Sequence, residues 1–181
     1  AGAEPIVHET GRDPGSVDAM VLPGVGAAAD TMENLRRRGL ADAVIAWIDS
    51  GRPFMGICIG LQVLFDDSTE GDGQKCLGVL PGHVVRLPPS EKVPHMGWNQ
   101  VVFDSANPLF SGIPSHANFY FVHSYVAVPA DAGIVAGETE YGTTFCSVVQ
   151  RGALVATQFH PEKSGPAGLR FYRNFLSGVT R

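Results

Sequence analysis

Cys58 stands in a segment whose pattern is typical of a nucleophilic cysteine. Gly56 lies two residues before it and Gly60 two residues after it, between a buried apolar run and an apolar helical segment over residues 61–65. Glycine at these two positions permits a tight strand-to-helix turn, because no side chains crowd it. Such a turn holds the sulfur at a helix N-terminus, where backbone N–H groups and the helix dipole favour the reactive thiolate. The pattern therefore predicts that Cys58 is a nucleophile.

The other two cysteines, Cys76 and Cys146, lack this pattern. Neither has flanking glycines or a strand-to-helix transition, so each is interpreted as a small buried core residue, the ordinary role of a free cysteine. Three cysteines cannot all pair within one chain, and their spacing does not suit a metal site. Reduced thiols in a cytosolic protein are the simplest interpretation.

His160 and Glu162 supply the acid–base partners that a cysteine nucleophile needs. Of the six histidines, His160 is the one at the end of a clear buried strand. Pro161 biases His160 toward an extended conformation, and in an extended chain Glu162 projects to the same side as His160. A carboxylate beside an imidazole fixes its tautomer and stabilises the imidazolium. Alone, this segment is equally typical of a surface salt bridge; together with the Cys58 turn it predicts a Cys58–His160–Glu162 triad.

The apolar pattern along the chain predicts the elements that position these residues. In the first third, short apolar runs alternate with helical patterns, and a series of strands with Gly-, Pro-, Asn- and Asp-rich turns follows from Cys76. Predicted strands cover residues 6–8, 18–22, 54–57, 79–80, 83–87, 98–103, 119–128, 133–137, 144–150 and 154–159. Predicted helices cover residues 27–38, 40–48 and 169–179. The fold class is α/β, with a mixed, mostly parallel sheet flanked by helices.

The length, composition and charge of the chain indicate which classes of protein it can belong to. A chain of 181 residues has room for one domain, residues 1–181, with a substantial core. The apolar fraction of 44% and the charged fraction of 17% are those of an ordinary globular protein. The net charge is −5, and the one basic run, Arg36-Arg37-Arg38, lies on a mixed helix, so nucleic-acid binding is not expected. No apolar run approaches membrane-spanning length, and no signal peptide is found at the start of the sequence.

The chain resembles the class I glutamine amidotransferases, whose motif is a Gly-x-Cys-x-Gly turn followed far downstream by His-Pro-Glu. Three further segments resemble one family among them, the glutaminase subunits of imidazole glycerol phosphate synthase. These segments are Leu22-Pro23-Gly24-Val25-Gly26, Pro94-His95-Met96-Gly97-Trp98-Asn99 and His160-Pro161-Glu162-Lys163-Ser164. The resemblance spans nearly the whole chain and implies the flavodoxin-like fold of these enzymes.

The resemblance also implies a role for each matching residue. Cys58 would be the nucleophile, His160 its base and acid, and Glu162 the group that orients His160. The oxyanion hole would consist of backbone N–H groups of Gly24, Val25, Gly26 and Ile59. Glutamine would be held by Gln62, Glu70, Ser124 and Tyr125. His95, Met96, Trp98 and Asn99 would form the interface with the synthase partner, partly exposed and on the same side as Cys58.

The activity that the resemblance implies is hydrolysis of glutamine to glutamate and ammonia through a cysteine thioester. The ammonia would pass to a (β/α)₈-barrel cyclase subunit for histidine biosynthesis, without a metal or organic cofactor. Three alternatives stay open at this point. The chain could serve another class I amidotransferase, act alone as a cysteine hydrolase on peptides or γ-glutamyl compounds, or be an inactive interaction module.

The start of the sequence departs from the family pattern. Family members begin with a strand, a glycine-containing turn and a helix before the region that matches Ile6. Here the segment Ala1-Gly2-Ala3-Glu4-Pro5 is interpreted as the end of that helix. We therefore expect one strand–helix unit to be missing, and an unpaired or rearranged sheet edge beside the strand that ends at Leu22.

Overall fold

The computed structural model describes residues 1–12 and 14–179. Its helices are α1 (Ala28–Arg37), α2 (Leu40–Asp49), α3 (Ile59–Gln62) and α4 (Gly165–Val179). Short 3₁₀ helices span Pro108–Phe110, Ala132–Ile134 and Pro161–Lys163. The predicted helices α1, α2 and α4 are confirmed, and Gly39 separates the first two by adopting a left-handed conformation with φ of 70°.

Twelve strands follow one another along the described part of the chain. They are β1 (Met20–Leu22), β2 (Phe54–Ile57), β3 (Asp67–Ser68), β4 (Gln74–Lys75), β5 (Gly82–Arg86), β6 (His95–Gln100), β7 (Val102–Phe103), β8 (Asn118–His123), β9 (Tyr125–Pro129), β10 (Val135–Glu140), β11 (Thr144–Arg151) and β12 (Leu154–Thr157). Ten of them form one sheet, and β6 and β8 form a separate two-stranded sheet. Most of the predicted strands are therefore confirmed, with shifted ends.

The main sheet is mixed, and its strands run in the order β1-β2-β12-β11-β9-β5-β3-β4. The α/β class and the mixed sheet are confirmed, but the expectation of mostly parallel pairing is wrong. Among the described strands of this sheet, three pairs are parallel and six are antiparallel. Tight turns join β10 to β11 and β11 to β12, and connections this short permit only antiparallel pairing.

Two short predicted strands are wrong. Residues 6–8 are not in a strand, and Ile6 and Val7 are 74% and 85% exposed. Three apolar residues do not specify a strand unless a neighbouring strand takes up their backbone hydrogen bonds. Val79 and Leu80 also form no strand, because their backbone N–H groups both donate to the carbonyl of Leu64.

Helices cover the main sheet on both faces. Met55 and Val155 point to the face where Phe171 and Phe175 of α4 pack. Phe54, Leu154 and Ala156 point to the opposite face and pack against Val44 and Trp47 of α2. This alternation follows from the two-residue period of a strand. Strand β2 is buried on both faces, which is typical of a parallel strand at the centre of an α/β fold.

Strand β1 forms one edge of the sheet. Its strand partner within the described residues is β2 alone, in parallel register from Met20 opposite Phe54 to Leu22 opposite Gly56. The Val21 side chain is 46% exposed there. The expectation that a further strand–helix unit precedes Ala1 stays a prediction.

Gly60 determines how closely β1 approaches the start of α3. A Cβ atom at Gly60 would collide with the carbonyl oxygen of Leu22, which is backbone and cannot rotate away. We predict that Gly60→Ala lowers the free energy of unfolding by about 1–3 kcal/mol, the usual cost of overpacking. Urea unfolding of the intact chain measures it.

Gly178→Ala is the matched control, because a Cβ atom there meets no atom within 4 Å. It should leave stability unchanged or raise it by up to about 1 kcal/mol, since alanine favours a helix over glycine. Equal stabilities for the two variants would show that β1 does not constrain this turn.

Candidate active site

The structure places Cys58 in a strained turn between β2 and α3. Cys58 is the N-cap of α3, with φ of 54° and ψ of −107°. A non-glycine residue reaches such a conformation only when its surroundings enforce it, and such residues cluster at functional sites. Here the backbone N–H of Cys58 donates to the carbonyl of Thr157 on the neighbouring strand, at 2.7 Å. The predicted strand-to-helix turn at Cys58 is therefore present.

Glycine is required on both sides of this turn. A Cβ atom on Gly56 would lie 2.5 Å from the carbonyl oxygen of Gly60, a distance at which the backbone would have to move apart. Gly56 and Gly60 therefore allow the end of β2 and the first turn of α3 to pack directly on each other.

His160 follows β12 and is held by hydrogen bonds of its backbone. Its N–H donates to the carbonyl of Tyr120 at 2.9 Å, and its carbonyl accepts from the Ser164 hydroxyl at 2.6 Å. The side chain is only 2% exposed. These contacts fix His160 between strand β8 and the 3₁₀ helix that begins at Pro161, so the imidazole has little freedom to move.

The imidazole of His160 pairs with the carboxylate of Glu162. Nδ1 lies 2.7 Å from Oε1 of Glu162, so Nδ1–H donates to the carboxylate and Nε2 is left for acid–base work. Burial acts to raise the pKa of the Glu162 carboxyl, but the hydrogen bond from His160 and the nearby positive charges hold that pKa below its ordinary value. Glu162 is therefore ionised at neutral pH and accepts the Nδ1–H of His160, while its role in orienting the imidazole stays a prediction.

The Cys58 side chain favours the protonated form of His160. The Cys58 side chain is the largest cause, followed by Glu162, of the rise in the pKa of His160 from 6.5 to about 9, which burial opposes. Nε2 of His160 is nevertheless buried without a hydrogen-bond partner among the described residues. The sulfur thus lies close to the imidazole but outside hydrogen-bonding geometry. The roles of Cys58, His160 and Glu162 as a triad stay a prediction.

The predicted oxyanion residues meet beside the triad. The loop between β1 and α1 carries Gly24, Val25 and Gly26, and Gly24 is so close to Ile59 that a Cβ atom would collide with that side chain. A cavity of about 360 Å³ is lined by Val21, Pro23, Gly24, Val25, Ile57, His160, Glu162 and Tyr172. Of the two predicted sources of oxyanion-hole donors, the loop lines this cavity with His160 and Glu162 through Gly24 and Val25, and Ile59 lies against Gly24 without lining the cavity.

Two of the predicted glutamine-binding residues are in direct contact. Nε2 of Gln62 donates to the carbonyl of Tyr125 at 3.0 Å, and Gln62 is only 5% exposed. Ser124 precedes Tyr125 at the start of β9, where its carbonyl accepts from the N–H of Leu87. The structure thus places Gln62 one helical turn from Cys58 and against the strand that begins beside Ser124.

Glu70 has a contact that the sequence did not suggest. Its Oε2 accepts a hydrogen bond from the N–H of Ala28 at 2.6 Å. Ala27, the N-cap residue of α1, has no capping side chain of its own, so Glu70 supplies the cap from a distant loop, where a carboxylate also favours the positive end of the helix. Because α1 follows the Gly24–Gly26 loop, Glu70 fixes the end of that loop. Its predicted contact with the amino group of glutamine stays a prediction.

The predicted interface residues alternate between two environments along β6. Met96 and Trp98 are 63% and 58% exposed, whereas His95 is only 4% exposed. The expectation that His95 is partly exposed is therefore wrong, because successive residues of a strand face opposite sides. Asn99 shares the side of His95 and donates from Nδ2 to the carbonyl of Glu140.

His95 belongs to a buried hydrogen-bonded pair. Its Nδ1 lies 2.9 Å from Nε2 of His123, whose Nδ1 lies 2.9 Å from the carbonyl of Tyr125. Burial lowers the pKa of His95 to about 4 and that of His123 to about 3, so both rings are neutral at pH 7. Phe121 and Tyr141 also stack on the His95 ring. His95 therefore supports the strand from within the domain.

Trp98 lies on the side of the domain that carries the triad. It stands opposite Tyr120 in the β6–β8 pairing, and the two rings contact edge to face with centroids 6.2 Å apart. The carbonyl of Tyr120 is the acceptor for the backbone N–H of His160. The exposed indole is therefore linked through Tyr120 to the backbone of His160.

Two residues of the site escaped the sequence analysis. Gln158 is fully buried, and its Nε2 lies 3.7 Å from Sγ of Cys58. Tyr172 of α4 lines the cavity with Glu162, and burial, followed by the Glu162 charge, raises the pKa of its phenol to about 12. The two-residue period back from His160 would have indicated Gln158. No local pattern indicates Tyr172, because the fold of α4 onto the site brings it there.

Comparisons with known proteins show the family of the chain. The family model for glutamine amidotransferase class-I matches residues 8–179. Imidazole glycerol phosphate synthase subunit HisH of Dehalococcoides mccartyi is 54% identical over 161 residues, which cover 89% of this chain and 78% of that protein. The HisH subunit of Moorella thermoacetica is 51% identical over 170 residues, which cover 92% of this chain and 81% of that protein.

Solved structures agree at the level of the fold. A crystal structure of a glutamine amidotransferase covers 99% of this chain and 88% of its own, with a TM-score of 0.76 and 22% identity. The structure of PurLQS from Thermotoga maritima covers 94% of this chain and 84% of its own, with a TM-score of 0.71 and 17% identity.

The fold, the cysteine turn and the family match define a class I glutamine amidotransferase domain. At about half identity over most of their length, the relatives narrow the family further, and the chain belongs to the HisH subunits of imidazole glycerol phosphate synthase. None of the helices that the structure describes is long and apolar enough to cross a membrane.

Proposed function

We propose that the chain hydrolyses glutamine to glutamate and ammonia and supplies that ammonia to imidazole glycerol phosphate synthesis in histidine biosynthesis. The observation that carries the proposal is the strained Cys58 turn beside the His160–Glu162 pair, in a chain of the HisH family. The HisH relatives at about half identity argue against a cysteine hydrolase that acts alone on peptides.

The reaction begins with attack of the Cys58 thiolate on the carboxamide carbon of glutamine. The N–H groups of Ile59 and of the Gly24–Gly26 loop stabilise the oxyanion, an interaction of about 3–4 kcal/mol per donor in other enzymes. The imidazolium of His160 then gives its Nε2 proton to the amide nitrogen, the C–N bond breaks, and ammonia leaves. A cysteine glutamyl thioester remains.

Hydrolysis of the thioester returns the enzyme to its starting state. Neutral His160 takes a proton from water through Nε2 as the hydroxide attacks the thioester carbon. The C–S bond breaks, glutamate leaves, and the thiolate forms again beside the imidazolium. Glu162 holds the Nδ1 proton throughout and stabilises the imidazolium, which agrees with the raised pKa of about 9 for His160. No step needs a metal or organic cofactor.

Ammonia has to leave the site without meeting bulk water, which requires a partner. The proposed partner is a (β/α)₈-barrel cyclase subunit that binds over Met96 and Trp98, the exposed side chains of β6. A large aromatic side chain that is half exposed in the free chain is a typical anchor of a protein interface. We place the heterodimer in the cytosol, where unpaired thiols such as Cys58, Cys76 and Cys146 stay reduced.

Cys58→Ala separates the two halves of the proposed function. With the barrel partner present, glutamine-dependent synthesis should fall at least about 10³-fold, because no thioester can form. Synthesis from added ammonium should persist, because it bypasses Cys58. Product formation from each nitrogen source measures both activities, with Cys76→Ser as the control that keeps both. Loss of the ammonium-dependent activity as well would mean that Cys58 is structural.

Trp98→Ala tests the interface. We predict that the Kd for the barrel subunit rises by about 10- to 100-fold, since truncating a tryptophan anchor costs about 2 kcal/mol or more. Titration calorimetry measures the Kd. Val102→Ala is the control, because Val102 is 50% exposed on β7, which belongs to the ten-stranded sheet and not to the two-stranded sheet of β6. Equal affinities for wild type and Trp98→Ala would place the partner elsewhere.

A further inference from the structure

A chain of hydrogen bonds beside Cys58 has a direction that a backbone carbonyl imposes. Nitrogen Nε2 of Gln62 lies 3.0 Å from the carbonyl oxygen of Tyr125. A carbonyl oxygen only accepts, and an amide nitrogen only donates. The orientation of the Gln62 side-chain amide is therefore fixed, because the reversed amide would place two oxygens in contact.

The same reasoning fixes the next amide. Nε2 of Gln62 also lies 3.0 Å from Oε1 of Gln158. Both hydrogens of the Gln62 amide are then used, and Gln158 must present its oxygen to Gln62. Its nitrogen is left on the side of Cys58, with Nε2 at 3.7 Å from Sγ. Gln158 therefore donates an N–H toward the sulfur and cannot accept a proton from it.

The surroundings make this contact effective. Gln158 is fully buried, and Gln62 and Cys58 are 5% and 7% exposed, so water competes little for the three side chains. The backbone N–H of Gln158 donates to the carbonyl of Ser147 at 2.9 Å, which holds the residue in place beside β11. A hydrogen bond to a charged acceptor is stronger than one to a neutral acceptor. A fixed N–H donor at this place thus favours thiolate over thiol, together with the positive charge of His160 and against the carbonyl oxygen of Val122, which lies 4.0 Å from Sγ.

We propose that Gln158 is a catalytic residue that stabilises the Cys58 thiolate through its side-chain N–H. The Tyr125 carbonyl fixes the orientation of the Gln62 amide, and Gln62 in turn fixes the orientation of the Gln158 amide. This role deepens the proposed function and rests on it. It also gives Gln62 a second task besides glutamine binding. Since both of its amide hydrogens are used, Gln62 presents its oxygen as the polar atom for substrate, which selects an N–H group of glutamine.

The alternative is that Gln158 only satisfies buried polar atoms of the core. The two roles differ in what they do to the pH dependence of the thiol reaction. A donor to the thiolate changes the fraction of reactive thiolate at neutral pH but not the reactivity once all of the thiol is ionised. Loss of a purely structural role changes access to the sulfur or the stability of the fold, so it changes the reaction rate by the same factor at every pH.

The experiment measures alkylation of Cys58 by iodoacetamide over a range from about pH 6 to about pH 10, which brackets ordinary thiol ionisation. Peptide mass spectrometry identifies the modified cysteine in the full chain. For Gln158→Met we expect a rate about tenfold lower near pH 7, a loss in the range reported for one hydrogen bond to a charged group. The rate should converge with wild type at high pH. Gln158→Glu fills the same space without an N–H, so its alkylation rate near pH 7 should fall at least as far below that of wild type.

Gln150→Met is the matched control. Gln150 follows Val149 in β11 and also contacts another side-chain amide, that of Asn107, at 2.7 Å. Its alkylation profile should match that of wild type. An unchanged profile in both Gln158 variants, or a rate reduced equally at all pH values, would overturn the role of Gln158. Glutamine hydrolysis by the wild-type complex is measured alongside, so its absence would refute the proposed function separately.

Discussion

The forced conformation of Cys58 is the constraint on which the site depends. With φ of 54°, Cys58 occupies a conformation that costs about 1–3 kcal/mol for a residue with a side chain. The turn persists because β2 is paired on both sides, with β1 and β12, and because glycines on either side let α3 begin at once. The same packing brings Ile59 against Gly24. The nucleophile and the proposed oxyanion donors are therefore positioned by one set of backbone contacts.

The position of His160 beside Cys58 follows from where the strands around this turn end. Strand β12 runs parallel to β2 and leads to His160 beside the end of β2, so the imidazole approaches the cysteine from the neighbouring strand. Strand β8 takes the backbone N–H of His160 through Tyr120, and that residue contacts Trp98 on the exposed face of β6. One short series of contacts thus joins Trp98, on the proposed partner surface, to the backbone of His160, the proposed base.

The sequence predicted the parts of the site that depend on local spacing. Glycines at two residues on either side of Cys58 and the His160-Pro161-Glu162 run are local signals, and the structure has the turn and the His160–Glu162 pair where they were expected. The surroundings of individual residues were harder to predict where they depend on elements that are distant in the sequence. The burial of His95 depends on which face of β6 the rest of the domain covers, and the cap that Glu70 gives to α1 joins residues 42 positions apart. The direction of strand pairing in the second half likewise follows from turn lengths, which the predicted strand ends did not resolve.

Titration of the His160 imidazole tests the coupling of thiol and imidazole most directly. Its pKa of about 9 lies above the ordinary 6.5, so its contribution to folding stability is fully present below about pH 6.5 and is lost as the pH rises through about 9. NMR of the ring resonances measures this pKa. We predict a value near 9 in the wild-type chain and a fall toward 6.5 in Cys58→Ala, which removes the largest cause of the shift. A wild-type pKa near 6.5, or one that Cys58→Ala leaves unchanged, would contradict it.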